Sequence, residues 1–236
     1  MIPITTTKKN AIREAMIKVL IADDHPVVRQ GLHQILSEHQ ETFVIGEAEN
    51  CLDAIRQVRN ERWDVVLLDI SMPGKGGLDA LKQIKNERPQ TQVLIFTIHP
   101  EDHYGLRALK AGAAGYLTKA CGPDTITAAI LRVAQGGKYI TQSLAERLAG
   151  ALDADFERPP HEVLTDREFQ IFNLLATGKT VSEIAAALAL SVKTISTHRT
   201  KILAKMNLRN NAELMHYFMR NGLDCSQSVP RLEETT

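Results

Sequence analysis

Acidic residues stand in this chain where apolar runs end. The segment "KVLIADDHP", residues 18 to 26, sets Asp23 beside Asp24 directly after a hydrophobic stretch. Further along, "VVLLDISMPG" ends a run in Asp69, "TQVLIFT" ends another in Thr97, and "GYLTK" carries one into Lys119. Neighbouring carboxylates repel, and more strongly beside a low-dielectric core, unless something cationic sits between them. A turn in water would hold the same pair harmlessly, so the elements that carry these residues decide what they can do.

Those elements alternate. "IKVLIA", "FVIGEA", "WDVVLLD", "TQVLIFT" and "AGYLT" read as strands, and helix-like segments start near Pro26, Asn50, Gly77, Glu101 and Pro123. The pattern predicts an α/β domain over residues 17–135, a doubly wound, five-stranded parallel sheet covered on both faces by helices. In such a sheet ligands gather outside the carboxyl ends of the strands, which is where Asp23, Asp24, Asp69, Thr97 and Lys119 fall.

After Ala134 no further strand is predicted. Gly136, Gly137, Pro159 and Pro160 punctuate a linker over 136–162,. Leu144, Leu148 and Leu152 are spaced for a helix that docks on one domain or pairs with a second copy. From Val163 the signals are helical. "LTDRE" and "KTVSE" read as capping boxes on Thr165 with Glu168 and on Thr180 with Glu183. Gly178 ends the first helix, Ser191 caps a third running to about Met206, and a fourth follows Asn210 up to Asn221 and Gly222,. This predicts a separate all-α four-helix domain over 163–225, with a tail at 226–236. Residues 1–16 form an extension without an assigned role, and Met16 is itself a natural start.

With 236 residues, 44% hydrophobic and 24% charged, the chain has the balance of a globular protein with room for two cores,. Apolar runs such as Ile184 to Leu190 fall far short of the roughly 20 residues that span a bilayer, and no signal peptide is recognised, so a cytoplasmic protein without membrane contact is expected. Cys51, Cys121 and Cys225 are scattered without a CxxC pair, which argues against a disulfide framework or a zinc site,. The 28 basic and 28 acidic residues cancel, yet 191–209 carries Lys193, Arg199, Lys201, Lys205 and Arg209 with no acid, a strong local positive field,. In "HPEDH", Pro100 is expected to open a helix and leave His99 outside it, against a metal pair with His103.

The acids, hydroxyl and lysine in this order resemble the receiver domain of two-component response regulators, across about residues 17 to 135. The resemblance implies that Asp69 is a phosphoacceptor, that Asp23 and Asp24 with Asp69 hold Mg2+, that Thr97 is the switch hydroxyl and Tyr116 the switch aromatic, and that Lys119 is the associated cation. The chemistry agrees. A carboxylate must meet phosphorus in line, and a hard cation must neutralise the phosphoryl oxygens and relieve the acids' mutual repulsion. Ala120 stands after Lys119 where many receivers have proline, which leaves that peptide's isomer open.

Residues 163 to 222, through "GKTVSEIAAALALSVKTISTHRTKILAKM", resemble the helix-turn-helix of NarL/LuxR-type regulators. That resemblance implies that a helix over about Val181 to Leu188 crosses the backbone of double-stranded DNA and that one over about Val192 to Met206 enters the major groove. Periodicity puts Val192, Ile195, Ile202 and Met206 inward. It leaves Lys193, Ser196, Thr197, Thr200 and Lys201 as candidate contacts, joined by Lys179, Thr194 and Lys205. The lysines suit phosphates and the hydroxyls suit base edges. His198 and Arg199 fall between the faces.

The expected protein is a transcription factor whose DNA binding is controlled by phosphorylation of Asp69 by a partner sensor histidine kinase, acting as a homodimer when phosphorylated. Ala212, Leu214, Met215 and Phe218 of the last helix are candidate dimer contacts, with burial inside the unit as the competing role. A receiver that works without phosphate is one alternative. A magnesium-dependent phosphohydrolase is a remote one, disfavoured because Ser71 stands where a general acid would be needed.

Overall fold

The computed structural model describes residues 16–39, 41–74, 76–150, 159–221 and 223. The first domain runs β1 (Ile17–Ala22), α1 (Pro26–Ser37), β2 (Phe43–Ala48), α2 (Cys51–Asn60), β3 (Val65–Leu68), α3 (Gly77–Glu87), β4 (Gln92–Thr97), α4 (Glu101–Lys110), β5 (Gly115–Thr118) and α5 (Pro123–Ala134). All pairings are parallel, in the order β2-β1-β3-β4-β5. This is the expected doubly wound sheet. Strands β1 and β3 are completely apolar at their centres because helices cover both faces,. The chain reverses its direction of winding between β1 and β3, and that is where a crevice opens at the carboxyl ends.

Register delivers the acids to that crevice. Ala22 pairs with Leu68, so the next residues, Asp23 and Asp69, leave adjacent strands at the same level. The Asp69 amide donates to the Ala22 carbonyl at 2.9 Å, which closes the pairing at the rim. Helix starts are set locally. Pro26 opens α1, the Asn50 side chain accepts from the Asp53 amide at the head of α2, and Pro123 opens α5,.

The linker departs from expectation in one respect. Tyr139 bridges to Gly115 beside β5, so the sheet gains a parallel contact beyond Ala134. A Cβ on Gly115 would overlap the Tyr139 carbonyl, so glycine is what allows the two backbones to approach,. Next, α6 (Gln142–Gly150) docks on α4, as one of the two expected outcomes for this helix. Leu144 is fully buried against Gly105, where a Cβ would come within 2.9 Å of the leucine methyl. Thr141 donates to Glu101, and Arg147 pairs with Asp102 at 3.0 Å. Leu152, Gly222, Cys225, residues 1–15 and the tail from 226 lie outside the described residues.

The second domain comprises a 3-10 turn (Pro160–Val163), α7 (Asp166–Ala176), α8 (Val181–Ala187), α9 (Val192–Lys205) and α10 (Asn211–Arg220). Both capping boxes are complete: Thr165 with Glu168 opens α7, and Thr180 with Glu183 opens α8. Gly178 adopts the left-handed conformation after α7 that a helix stop requires,. Phe169, Phe172, Ile184, Ile195, Ile202, Leu214 and Phe218 form its core. That core continues through Leu164, Tyr104 and Leu144 into the layer under α2, α3 and α4, so the two domains share one apolar interior.

Candidate functional site

The three expected carboxylates converge. Ligand atoms of Asp23, Asp24, Asp69 and the neighbouring His25 lie within 4.8 Å of one another. Asp23 and Asp69 are each 1% exposed, and Asp24 stands partly open to solvent. Lys119, brought in by β5, places its ammonium 2.7 Å from Asp69 Oδ2 and 2.6 Å from Asp23 Oδ2. Burial works against that charge, but the bonds and charges of Asp69 and Asp23 outweigh it and hold the Lys119 pKa above the ordinary lysine value,.

The remaining partners fix which oxygens stay available. The Ser71 amide donates to Asp69 Oδ1 at 2.9 Å, and the His25 amide donates to Asp23 Oδ1 at 2.9 Å. His25 Nδ1 lies 3.0 Å from Asp24 Oδ1. Asp23 Oδ2, 2.6 Å from the Lys119 ammonium, and Asp24 Oδ1, 3.0 Å from the His25 ring nitrogen, are buried without a hydrogen bond of good geometry. Buried carboxylate oxygens in that condition are costly unless a cation satisfies them. A set of hard oxygen donors facing one small space fits a magnesium ion and suits no soft metal.

Thr97 is fully buried at the end of β4 and reaches the acids through Ser71, whose hydroxyl is 3.2 Å from its own. Tyr116 is buried, and its hydroxyl donates to the His99 carbonyl at 2.9 Å, just before α4. The His99 ring packs 5.0 Å from that of Tyr104, and burial lowers its pKa. The Lys119–Ala120 peptide is trans, as are all the described peptides. His103 is buried against Phe218 of α10, 6.2 Å between rings, and His99 stands outside α4, so the two do not form a metal pair.

From α4, a seam of contacts leads to the second domain. Arg107 donates to the carbonyls of Leu164 and His161 at 2.8 and 2.6 Å, lies 3.3 Å from Asp166, and stacks 4.2 Å above the Phe169 ring. Lys82 pairs with Asp166 at 2.6 Å, and the Asn173 amide donates to the Tyr104 hydroxyl at 3.0 Å. Sequence reasoning missed His25, Ser71 and this seam. His25 and Ser71 follow their acids by one or two residues, which was a usable signal. The seam joins residues more than 50 positions apart and had none.

The basic face of α9 is arranged largely as expected. Ile195, Ile202 and Met206 are buried, while Lys193, Ser196, Thr197, Thr200 and Lys201 are exposed, as is Lys179 before α8. The Thr197 and Thr200 hydroxyls donate back to the carbonyls of Lys193 and Ser196,. Three details differ from the sequence reading. Val192, expected inward, is 50% exposed at the helix start. Thr194 shares its hydroxyl with the cap residue Ser191. The Lys205 ammonium is held by Glu168 at 2.6 Å, which removes it from the free basic face. Of the two roles weighed for the last helix, Leu214 and Phe218 take burial within the unit, leaving Ala212, Met215 and Met219 as the outward small and apolar residues of α10. Arg199 is turned to Asn211 at 2.7 Å, and burial lowers the pKa of His198.

Comparison with known proteins agrees with this arrangement. Residues 19–131 match the response regulator receiver domain, and residues 162–218 match the bacterial regulatory proteins of the luxR family. The chain is 37% identical to response regulator UvrY of Escherichia coli K12 over 209 residues, covering 88% of this chain and 96% of UvrY. It is 36% identical to response regulator GacA of Pseudomonas aeruginosa, covering 88% of this chain and 98% of that one. The structure of RcsB from Salmonella enterica serovar Typhimurium bound to a promoter with a phosphomimetic superposes with a TM-score of 0.60 at 26% identity, covering 86% and 98% of the two chains. Among the described residues no helix is long and apolar enough to cross a membrane. A receiver rim of acids and lysine joined to a capped helix-turn-helix, along nearly the full length of such relatives, places this chain in the NarL/LuxR family of two-component response regulators, DNA-binding transcription regulators and not enzymes.

Proposed function

We propose that Asp69 accepts a phosphoryl group from a partner sensor histidine kinase and that its phosphorylation controls how the helix-turn-helix engages DNA in the cytoplasm. The observation that carries this is the convergence of Asp23, Asp24 and Asp69 on one rim with Lys119 among them. Three carboxylates against one ammonium leave two negative charges in excess, the deficit a divalent cation balances. Bound there by Asp23, Asp24 and Asp69, Mg2+ would neutralise phosphoryl oxygens. Asp69 attacks phosphorus, the nitrogen–phosphorus bond of the donor histidine breaks, and an acyl phosphate forms. The Ser71 amide orients the nucleophile through Oδ1, and Lys119 is placed to exchange its carboxylate partner for a phosphoryl oxygen.

Thr97 and Ser71 share a hydroxyl contact beside Asp69, and a phosphoryl group there would compete for the Thr97 hydroxyl. Tyr116 would follow, and with it the start of α4, which its hydroxyl holds through His99. Because α4 also carries Tyr104 and Arg107, the population shift reaches the DNA-binding domain,. The outward face of α9 is exposed in this docked arrangement, so control acts through where the two domains and two copies sit. Ala212, Met215 and Met219 are the proposed two-fold contacts, fitting paired half-sites on DNA. Lys179, Lys193 and Lys201 are assigned to phosphates, and Ser196, Thr197 and Thr200 to base edges. The test is labelling by a small phosphodonor in Mg2+: Asp69→Asn loses the label and keeps the wild-type circular dichroism spectrum. A folded variant that still labels at the wild-type rate refutes the assignment.

A further inference from the structure

Arg29 is a buried cation on the apolar side of α1, in line with Leu32 and Leu36. Its fork turns back over the strand ends. Nε lies 3.2 Å from Glu47, Nη2 lies 3.2 Å from Glu49, and Nη1 donates to the Asp23 backbone carbonyl at 2.8 Å. The two glutamates flank the end of β2 and reach solvent, so they balance the guanidinium and anchor it to the sheet. The third bond has a different consequence. The Asp23 carbonyl belongs to the peptide that joins Asp23 to Asp24, and the Asp23 amide is already held by Ala48 at 3.1 Å. With both backbone groups of Asp23 tied, the plane from which the Asp24 side chain departs is fixed. The Asp24 side chain has the His25 ring nitrogen 3.0 Å from its buried Oδ1, but no hydrogen bond of good geometry holds that oxygen.

We propose that Arg29 is a positioning residue that pre-organises the Asp23–Asp24 peptide for a divalent cation, touching neither the ion nor the carboxylates that would bind it. This rests on the magnesium reading of the acidic rim. Two physical accounts of Arg29 predict effects of opposite sign. If only its charge mattered, removing a cation next to a dication site would tighten binding. If its geometry matters, removing it loosens binding, and groups that orient metal ligands typically affect affinity by about 10- to 100-fold.

The experiment is calorimetric titration of Mg2+ into the full-length wild type, Arg29→Met, Arg29→Lys and Asp24→Asn, each first melted in EDTA to establish that it is folded. Arg29→Met weakens Mg2+ binding by at least about tenfold. Arg29→Lys, which keeps the charge and loses the fork, weakens it as well, and it stands in if the methionine variant does not fold. Binding as tight as wild type or tighter in a folded Arg29 variant overturns the proposal and leaves the acidic site standing. A wild type that takes up no Mg2+, or an Asp24→Asn variant that binds it undiminished, instead overturns the reading of the site and the role of Arg29 with it.

Discussion

Arg107→Met is the most informative perturbation of the seam between the domains. The side chain is 14% exposed and the methionine stem keeps most of its packing, so the receiver itself should fold,. Lost are two charged hydrogen bonds to the Leu164 and His161 carbonyls, the contact with Asp166 and the stacking on Phe169. A hydrogen bond to a charged group contributes about 1.5 to 3 kcal/mol and a cation–π contact about 1 kcal/mol, while contacts sharing one side chain do not add fully. About 3 kcal/mol is then a fair value for the docked arrangement, or roughly two powers of ten in the ratio of docked to open molecules. Small-angle X-ray scattering of the unphosphorylated protein at fixed salt reads this directly as a larger radius of gyration. Calorimetry should show the two domains melting separately. An unchanged scattering curve together with a single unchanged melt would refute the view that Arg107 holds the domains together.

Acid should loosen the same seam. His161 is held neutral, with its pKa pushed down to about 4, mainly by burial and then by the Arg107 charge, with Arg147 and His103 adding to it and Glu162 opposing. A depressed pKa means that the docked state binds fewer protons than the open one, so its contribution is complete above the ordinary histidine value near 6.5 and shrinks as pH falls from there toward about 4,. Scattering between pH 7 and 4.5 should therefore show expansion on acidification, and His161→Gln should flatten that response. At Gly77 an added Cβ would overlap the Ile70 backbone and come 2.9 Å from the Asp69 carbonyl. Gly77→Ala is expected to cost about 1 to 3 kcal/mol by overpacking, read from the denaturant midpoint, and to slow phosphodonor labelling because the displaced segment carries Asp69.

The sheet and its acids were legible because the signals are local. Mainly apolar runs gave the strands, β1 and β2 to the residue, and four of the five runs lead into a side chain at the rim: Asp23, Asp69, Thr97 and Lys119. Thr165, Thr180 and Ser191 were readable as caps because a cap is a chemical pattern over four residues,. What escaped needed a third dimension. Tyr139 bridges to β5 only because Gly115 lets a distant segment approach. Lys205 belonged on the sequence to the acid-free basic stretch, and a glutamate 37 residues earlier claims it. Arg29 did leave a trace, a charge on the stripe occupied by Leu32 and Leu36, and such a residue must have found partners elsewhere in the fold,.

The bare outer surface of α9 has a consequence for how a signal could be scored. A unit whose basic helix is uncovered before any phosphate arrives already has the electrostatic means to adhere loosely to any duplex, in a salt-sensitive way. Phosphorylation would then have little to uncover. Its leverage would fall on whether two such units meet at matched spacing, and occupancy of a promoter would climb more steeply than in proportion to the amount of phosphorylated protein, because each bound site consumes two of them.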